Sequence, residues 1–205
     1  MSRMLVLDGD VTREMIRERR ALGQDRHDEV WDGIYIMPPL PTNLHQSLVQ
    51  RNAVIVQSVV PEDAVVQPGA NVSDRRKNWK KNYRVPDVLV VLKHGRAVDC
   101  GTHWYGGPDL LIEITSPGED IFEKLPFYAG IQVREVLILH QNSREVQLFR
   151  LHGDELLAVD PTTWEKQEWL KSEVLPLAYR RMQVRGSGPR VMVRRTDGED
   201  GEWYV

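Results

Sequence analysis

The sequence has almost no cysteine, since Cys100 is the only one in 205 residues. A single cysteine excludes an internal disulfide and a cysteine-rich zinc site, and it fits the reducing cytoplasm. Long apolar runs are also absent. The longest candidate, residues 85–92, already contains Pro86 and Asp87, whereas a membrane span needs about 18 or more apolar residues. We therefore expect a cytoplasmic protein with no membrane segment.

The chain has no strong excess of charge of either sign. It carries 27 basic and 30 acidic side chains, a formal net charge of −3. This balance excludes a uniformly basic nucleic-acid coat protein, although charge can still be concentrated locally. Repeats and low-complexity tracts are absent, and 41% hydrophobic with 28% charged residues is ordinary globular usage. Such a composition excludes a disordered chain and favours one folded domain.

The order of predicted elements is helix, hairpin, helix, strands, helix, strands. Asp32-Gly33 lies between two short apolar runs and supplies the positive φ values of a tight hairpin turn. Asn43 is a candidate cap for the second helix, and Pro126 is expected to kink or shorten the third. The predicted helices span 12–22, 44–59 and 119–129, and the predicted strands after the hairpin span 64–67, 88–92, 109–115, 133–140, 145–151 and 155–159. This order indicates an α+β fold.

Two carboxylates fall where burial is expected. Asp87 opens an otherwise apolar strand, and Glu113 interrupts the run LLIEIT 26 residues later. A buried carboxylate is costly unless it is paired, hydrogen-bonded or bound to a metal. A divalent cation between the two would remove their repulsion, and oxygen ligands favour Mg²⁺ or Mn²⁺ over zinc. The alternative is that each carboxylate forms a separate structural salt bridge.

A lysine follows the second carboxylate by 11 residues. Asp120, Lys124 and Tyr128 are four residues apart, which places them on one face of a helix. A lysine beside two metal-bound carboxylates would orient an attacking water and offset negative charge on a phosphate oxygen. The alternative is an exposed Asp120–Lys124 pair of little consequence.

Two stretches concentrate positive charge. Residues 75–84 interleave cations with Trp79 and Tyr83, and such a loop can contact phosphates and stack on bases. An ordinary solvated loop has the same composition. The second stretch, 180–195, is followed by an acidic segment and reads equally well as a charged surface tail. The candidate substrate-binding cations of the first stretch are Arg76, Lys77, Lys80, Lys81 and Arg84.

Several features follow one another along the chain: Glu29 before the Asp-Gly hairpin, His45 after a Pro-Pro turn, Pro86-Asp87, LLIEITSP, and the helix with Asp120, Lys124 and Tyr128. Taken in this order, they resemble the Uma-type restriction endonuclease domain family of the PD-(D/E)XK nuclease superfamily. The resemblance covers roughly residues 20–160 and depends on the order and spacing of these motifs. It implies a restriction-endonuclease-like core, a central mixed β-sheet flanked by helices.

The resemblance also implies roles for individual residues. Asp87 and Glu113 would bind Mg²⁺, with Mn²⁺ as a substitute, and Ile114 would lend its backbone carbonyl. The superfamily's lysine usually lies two residues after the acid, where this chain has Thr115. In the Uma-type pattern the lysine lies on the following helix, where Lys124 matches.

Three further positions match the family outside the central motif. Glu29 corresponds to the family's N-terminal acid, which supports the site or a second metal. His45 and Tyr128 are the candidates for substrate contact in addition to the basic loop. On this basis residues 1–160 form the nuclease-like domain, and residues 161–205 are a C-terminal extension packed on it or following it.

The sequence therefore predicts a Mg²⁺-dependent endonuclease that hydrolyses phosphodiester bonds of DNA. A homodimer is expected, because many duplex-cutting enzymes must address two strands. Two alternatives stay open at this point. One is a nuclease-fold module that binds DNA without cutting it, and the other is a homodimeric scaffold or regulatory protein whose carboxylates are merely salt-bridged.

Overall fold

The computed structural model describes residues 4–5, 9–116, 120–159, 169–186 and 188–205. Within them there are three α-helices, α1 (Gly9–Ala21), α2 (Asn43–Gln57) and α3 (Leu125–Gly130), and two short 3-10 helices (Trp79–Lys81 and Ile121–Lys124). The first nine strands are β1 (Met4–Leu5), β2 (Glu29–Trp31), β3 (Ile34–Met37), β4 (Val65–Pro68), β5 (Val72–Ser73), β6 (Tyr83–Arg84), β7 (Val88–Val91), β8 (Val98–Asp99) and β9 (Trp104–Tyr105). The others are β10 (Leu110–Thr115), β11 (Glu135–His140), β12 (Val146–His152), β13 (Glu155–Ala158), β14 (Leu170–Lys171), β15 (Leu177–Val184), β16 (Gly188–Arg195) and β17 (Glu202–Tyr204).

The strands form three sheets. The central one has six strands in the order β13-β12-β11-β10-β7-β4, and it is mixed because β10 and β11 run parallel while its other pairs are antiparallel. A second sheet has the order β1-β3-β2-β6-β5-β9-β8, and a third has the order β14-β15-β16-β17. The α+β architecture with a central mixed sheet confirms the fold class predicted from the sequence.

Three neighbouring strands, β7, β10 and β11, form the buried centre of the molecule. Their side chains alternate between two hydrophobic clusters, because successive residues of a strand point to opposite faces of the sheet. Even positions of β10 such as Ile112 pack with α2 and the third sheet, whereas Leu111 packs with the region of α3. Glu113 has the parity of Leu111, so its side chain lies on the face that α3 covers.

Local signals for the hairpin and the second helix are confirmed. Asp32 and Gly33 have φ of 48° and 90° between β2 and β3, as the Asp-Gly turn requires. Helix α2 is present, but its cap is Thr42 and not Asn43, since the Thr42 hydroxyl accepts from the backbone N–H of His45 at 3.1 Å. Threonine before the helix satisfies an N–H that would otherwise have no partner.

The third predicted helix is shorter than expected. Residue 119 lies outside the described residues. Asp120 caps a 3-10 turn over Ile121–Lys124, and α3 covers only Leu125–Gly130 with Pro126 in its first turn. Proline is tolerated there because the N–H it lacks has no helical partner at that position. The proline therefore marks the junction between the two helical segments.

The C-terminal strands pack on the same core as the central sheet. Leu177, Tyr179, Val191 and Val193 of β15 and β16 are buried in one cluster with Leu48 of α2 and the central sheet. This side of the central sheet is therefore covered by α2 and by the third sheet together. The segment 160–168, between β13 and this sheet, lies outside the described residues.

Candidate active site

Four side chains from distant parts of the chain meet at one end of the central sheet. Lys124 Nζ lies 2.9 Å from Glu29 Oε1 and 3.4 Å from Glu113 Oε1, and Asp87 lines the same cleft. Glu29, Glu113 and Lys124 are 4%, 3% and 8% exposed. The four side chains that the sequence predicted to form the site thus lie together. Lys124 is a buried cation between two carboxylates.

The hairpin and the strand beside it fix Glu29. Its Oε1 accepts from the backbone N–H of Val85 at 2.8 Å, and its Oε2 accepts from the indole N–H of Trp31 at 2.7 Å. Trp31 lies two residues further along β2, so both side chains lie on the same face of the strand. Sequence reasoning missed this contact, although the two-residue spacing was a signal for it.

Asp87 is held at the point where two strands of the sheet separate. The pairing of β7 with β10 stops at Val88 and Ile112, and the backbone N–H of Ile114 donates instead to Asp87 Oδ2 at 2.7 Å. The N–H and C=O of one strand residue point to the same side. The carbonyl of Ile114 therefore points to the side of the strand on which Asp87 lies, and its role as a metal ligand stays a prediction.

Tyr128 is fully buried and does not face the cleft. Its hydroxyl donates to Glu113 Oε1, the same oxygen that Lys124 approaches. The expectation that Tyr128 contacts substrate is therefore corrected. Because α3 covers the face of the sheet that carries Glu113, the tyrosine orients this carboxylate from behind.

His45 reaches the site from the first turn of α2. Its Nε2 lies 3.3 Å from Asp87 Oδ2, so the histidine and the carboxylate are paired. Both line the cleft together with Glu29, Glu113 and Lys124. The cleft is partly open to solvent, and the Pro-rich segment 38–41 forms one wall.

The basic loop before β6 divides into exposed and buried residues. Arg76, Lys77, Lys80 and Lys81 are exposed. Arg84 is buried at 4% exposure, where its guanidinium lies 4.5 Å from the Trp31 ring and 4.2 Å from the Phe127 ring. The expectation that Arg84 contacts substrate is corrected, because it supports the hairpin from inside.

The aromatic residues of this loop pack within it. The Trp79 ring is stacked on His103 at 4.9 Å and meets Tyr83 edge-on at 5.1 Å. Burial raises the pKa of Tyr83 to about 12. The rings give the loop a fixed shape, and the exposed cations are the groups left to face a ligand.

The acidic groups of the cleft repel one another. Burial raises the pKa of Glu113 to about 8, the nearby Lys124 opposes this, and the charges of Asp87 and Glu29 add to it. A divalent cation beside these carboxylates would oppose this repulsion, because a nearby opposite charge favours the ionised carboxylate. The electrostatics of the site therefore favour a bound cation.

The donor set fits a hard cation with few protein ligands. Within the described residues no group of three or more His, Cys, Asp or Glu side chains is arranged to hold a metal. The donors present are the carboxylates of Asp87 and Glu113 and the carbonyl of Ile114. Mg²⁺ is commonly bound through one or two carboxylates and keeps several waters, so this set suits Mg²⁺ or Mn²⁺.

The raised pKa of Glu113 predicts a pH dependence of stability without metal. The folded protein holds this proton up to about pH 8, whereas the unfolded chain releases it near pH 4.5. The stabilisation is complete below about pH 4.5 and is lost as pH rises through 8. We expect urea unfolding in EDTA to show this decline, and Glu113→Gln to flatten it.

Glu62→Gln removes an exposed carboxylate and is the matched control. It should leave the pH profile of the wild type unchanged. If Glu113→Gln followed the wild-type profile between pH 5 and 8, the assigned environment of Glu113 would be wrong.

The chain resembles a known protein family and a solved structure. A family model described as "Uma2: Putative restriction endonuclease" matches residues 15–184, and no curated protein matches the chain. A solved structure described as a putative nuclease belonging to DUF820, from Anabaena variabilis ATCC 29413, matches with a TM-score of 0.55 and 18% identity. The match covers 71% of this chain and 80% of that one.

The structural match concerns the fold, which is a nuclease fold of the restriction-endonuclease type. The family match confirms the resemblance drawn from the sequence and extends past residue 160 into β15. None of the helices among the described residues has the length and apolar composition that a membrane span needs. Because the family model spans most of its length, the chain belongs to the Uma2 family, described as putative restriction endonucleases.

Proposed function

We propose that this protein is an endonuclease that hydrolyses phosphodiester bonds of DNA with the help of Mg²⁺, for which Mn²⁺ can substitute. The observation that carries the proposal is the buried lysine between Glu29 and Glu113, in a cleft that also holds Asp87. Family membership supports a nuclease, and this arrangement supports the metal-dependent reaction.

Asp87, Glu113 and the carbonyl of Ile114 would hold the cation. When bound, the cation supplies an acidified water and polarises a phosphate oxygen. Asp87 is oriented by the N–H of Ile114, and Glu113 by the hydroxyl of Tyr128. Both carboxylates are therefore held by groups outside the reaction, which is what precise placement of a cation requires.

Lys124 stabilises the negative charge that develops on the reacting phosphate. Hydrolysis joins a water oxygen to phosphorus and breaks one P–O bond, so negative charge grows on the phosphate and leaving oxygens. A fixed cation at this place stabilises that charge. Glu29 positions the lysine, because its carboxylate contacts Nζ while it is itself fixed by Val85 and Trp31.

The exposed cations of the basic loop provide the approach for a polyanion. Arg76, Lys77, Lys80 and Lys81 lie on the loop that leads through β6 to Asp87. The backbone N–H of Gly33 donates to the Lys81 carbonyl at 3.0 Å, which fastens the loop to the hairpin tip. Phosphate contacts of this kind bind the nucleic acid without distinguishing its base sequence.

The proposal is tested by incubating the purified protein with supercoiled and linear DNA in Mg²⁺, in Mn²⁺ and in EDTA. We expect internal cleavage that needs the metal, with calorimetry detecting binding of the same cation. Salt-sensitive binding without any product would instead establish the DNA-binding module. Neither binding nor cleavage would favour the scaffold alternative, and the expected homodimer stays a prediction for sedimentation to test.

A further inference from the structure

Three arginines lie together in a place that the proposed chemistry does not use. Arg144 belongs to the turn between β11 and β12, Arg190 to β16 and Arg51 to α2. Arg181 pairs with Val191, the neighbour of Arg190, and it donates to the carbonyl of Ser143 beside Arg144. Arg51 Nη1 donates at 3.4 Å to the carbonyl of Tyr204, which pairs with Met192 of β16. Burial lowers the pKa of Arg144, and the charges of Arg190 and Arg51 lower it further. Among the described residues none of the three forms an ion pair with a carboxylate.

Arg144 is the buried member of this arginine cluster. It is 9% exposed, and its Nη1 is shielded from solvent without a hydrogen-bond partner in the described part of the chain. The neighbouring Glu145 does not fill this role, since its carboxylate accepts from the Ser143 hydroxyl at 3.4 Å. A buried cation with an unused donor, beside two further cations, is arranged to receive an anion.

The turn that carries Arg144 is firmly held. The backbone N–H of Arg144 donates to the carbonyl of His140 at 2.9 Å, and Arg181 Nε donates to the carbonyl of Ser143 at 2.7 Å. Arg144 itself has φ of 57°, a left-handed conformation that is uncommon for arginine. The backbone of the turn that carries Arg144 is therefore fixed in place.

The same turn lies at the edge of the sheet that carries the carboxylates. The backbone N–H of Gln141 donates to the carbonyl of Thr115 at 3.1 Å, two residues beyond Glu113. With about 3.3 Å per strand residue and about 4.8 Å between strands, Arg144 lies on the order of 15 Å from Glu113. A duplex strand has one phosphate per roughly 3.4 Å of axis, so this is a span of about four phosphates.

We propose that Arg144, with Arg190 and Arg51, binds a phosphate of the nucleic acid strand several nucleotides from the bond that is cut. This inference rests on the proposed function for the identity of the polyanion. The guanidinium fork of arginine matches a phosphate group with two parallel hydrogen bonds. The cluster would hold the strand in register with the cleft and contribute no preference for base sequence.

The test measures binding of a short labelled duplex in EDTA, where no cutting occurs, over a range of salt concentrations. We expect Arg144→Gln and Arg190→Gln each to weaken binding about tenfold and to reduce the salt slope by about one phosphate contact. Arg185→Gln makes the same change at an exposed arginine just after β15 and should have little effect. Inorganic phosphate alone should raise the melting temperature of wild type more than that of Arg144→Gln.

The inference is overturned if Arg144→Gln and Arg190→Gln bind the duplex with the affinity and salt slope of Arg185→Gln. Since Arg144 Nη1 has no hydrogen-bond partner to lose within the described residues, the variant is expected to fold, and Arg190→Gln provides an independent second measurement. Failure of the proposed function looks different. In that case the wild type cuts no DNA in Mg²⁺ or Mn²⁺, while the two variants still bind the duplex more weakly than Arg185→Gln.

Discussion

Asp87→Asn is expected to lower Mg²⁺-dependent cleavage of DNA by roughly 10²- to 10³-fold or more. The asparagine keeps an oxygen that can accept from the N–H of Ile114, the bond that Asp87 Oδ2 forms at 2.7 Å. It removes the negative charge that would hold the cation beside Glu113. The fold should therefore survive while cleavage and Mg²⁺ binding are lost.

Calorimetric titration of Mg²⁺ and Mn²⁺ measures the binding, and nicking of supercoiled DNA measures the activity. Asp63→Asn is the matched control, because Asp63 is an exposed carboxylate paired with Lys93 outside the cleft. It should bind the cation and cut DNA like the wild type. Full activity in folded Asp87→Asn would remove Asp87 from the site.

Lys124→Met is expected to lower both stability and activity. The lysine is the cation that Glu29 and Glu113 share at 2.9 and 3.4 Å. Removing one partner of a buried ion pair leaves uncompensated charge and costs about 3–5 kcal/mol of unfolding free energy. The loss should be greater above pH 8 than below it, because Glu113 is ionised there.

Added Mg²⁺ separates the two effects of this substitution. The cation would bind beside Glu113 and restore part of the stability, yet it cannot replace the lysine at the reacting phosphate. We therefore expect urea unfolding to recover in Mg²⁺ while cleavage stays at least about 100-fold below wild type.

Lys93→Met is the matched control for the lysine. Lys93 is 64% exposed and pairs with Asp63 at 2.8 Å, and exposed pairs of this kind contribute little. This variant should unfold and cut like the wild type. If Lys124→Met also kept wild-type cleavage, the lysine would be structural and the proposed role in catalysis would be wrong.

Local sequence signals were sufficient where a few neighbouring residues decide the structure. Asp32-Gly33 specified its turn, and the apolar runs around Leu89 and Ile112 specified buried strands. The order of Glu29, Asp87, Glu113 and Lys124 was sufficient to indicate the family. These signals work because turn geometry and strand burial depend on short stretches of chain.

Other features depended on contacts between distant segments. Tyr128 and Arg84 looked like candidates for substrate contact, yet one is buried against Glu113 and the other between Trp31 and Phe127. A tyrosine on a helix and an arginine in a basic loop have the same local pattern whether they face solvent or core. Only the packing of α3 and of the hairpin decides between the two.

The arginine cluster is the clearest example of a feature that local sequence patterns do not predict. Arg51, Arg144 and Arg190 are separated by 93 and 46 residues (144 − 51 and 190 − 144), and no spacing relates them. The sequence by itself determined the strands, the turn and the set of acidic and basic residues that mark a nuclease family. The tertiary structure decided which of these side chains meet, because strand register and helix packing set the face on which each one lies.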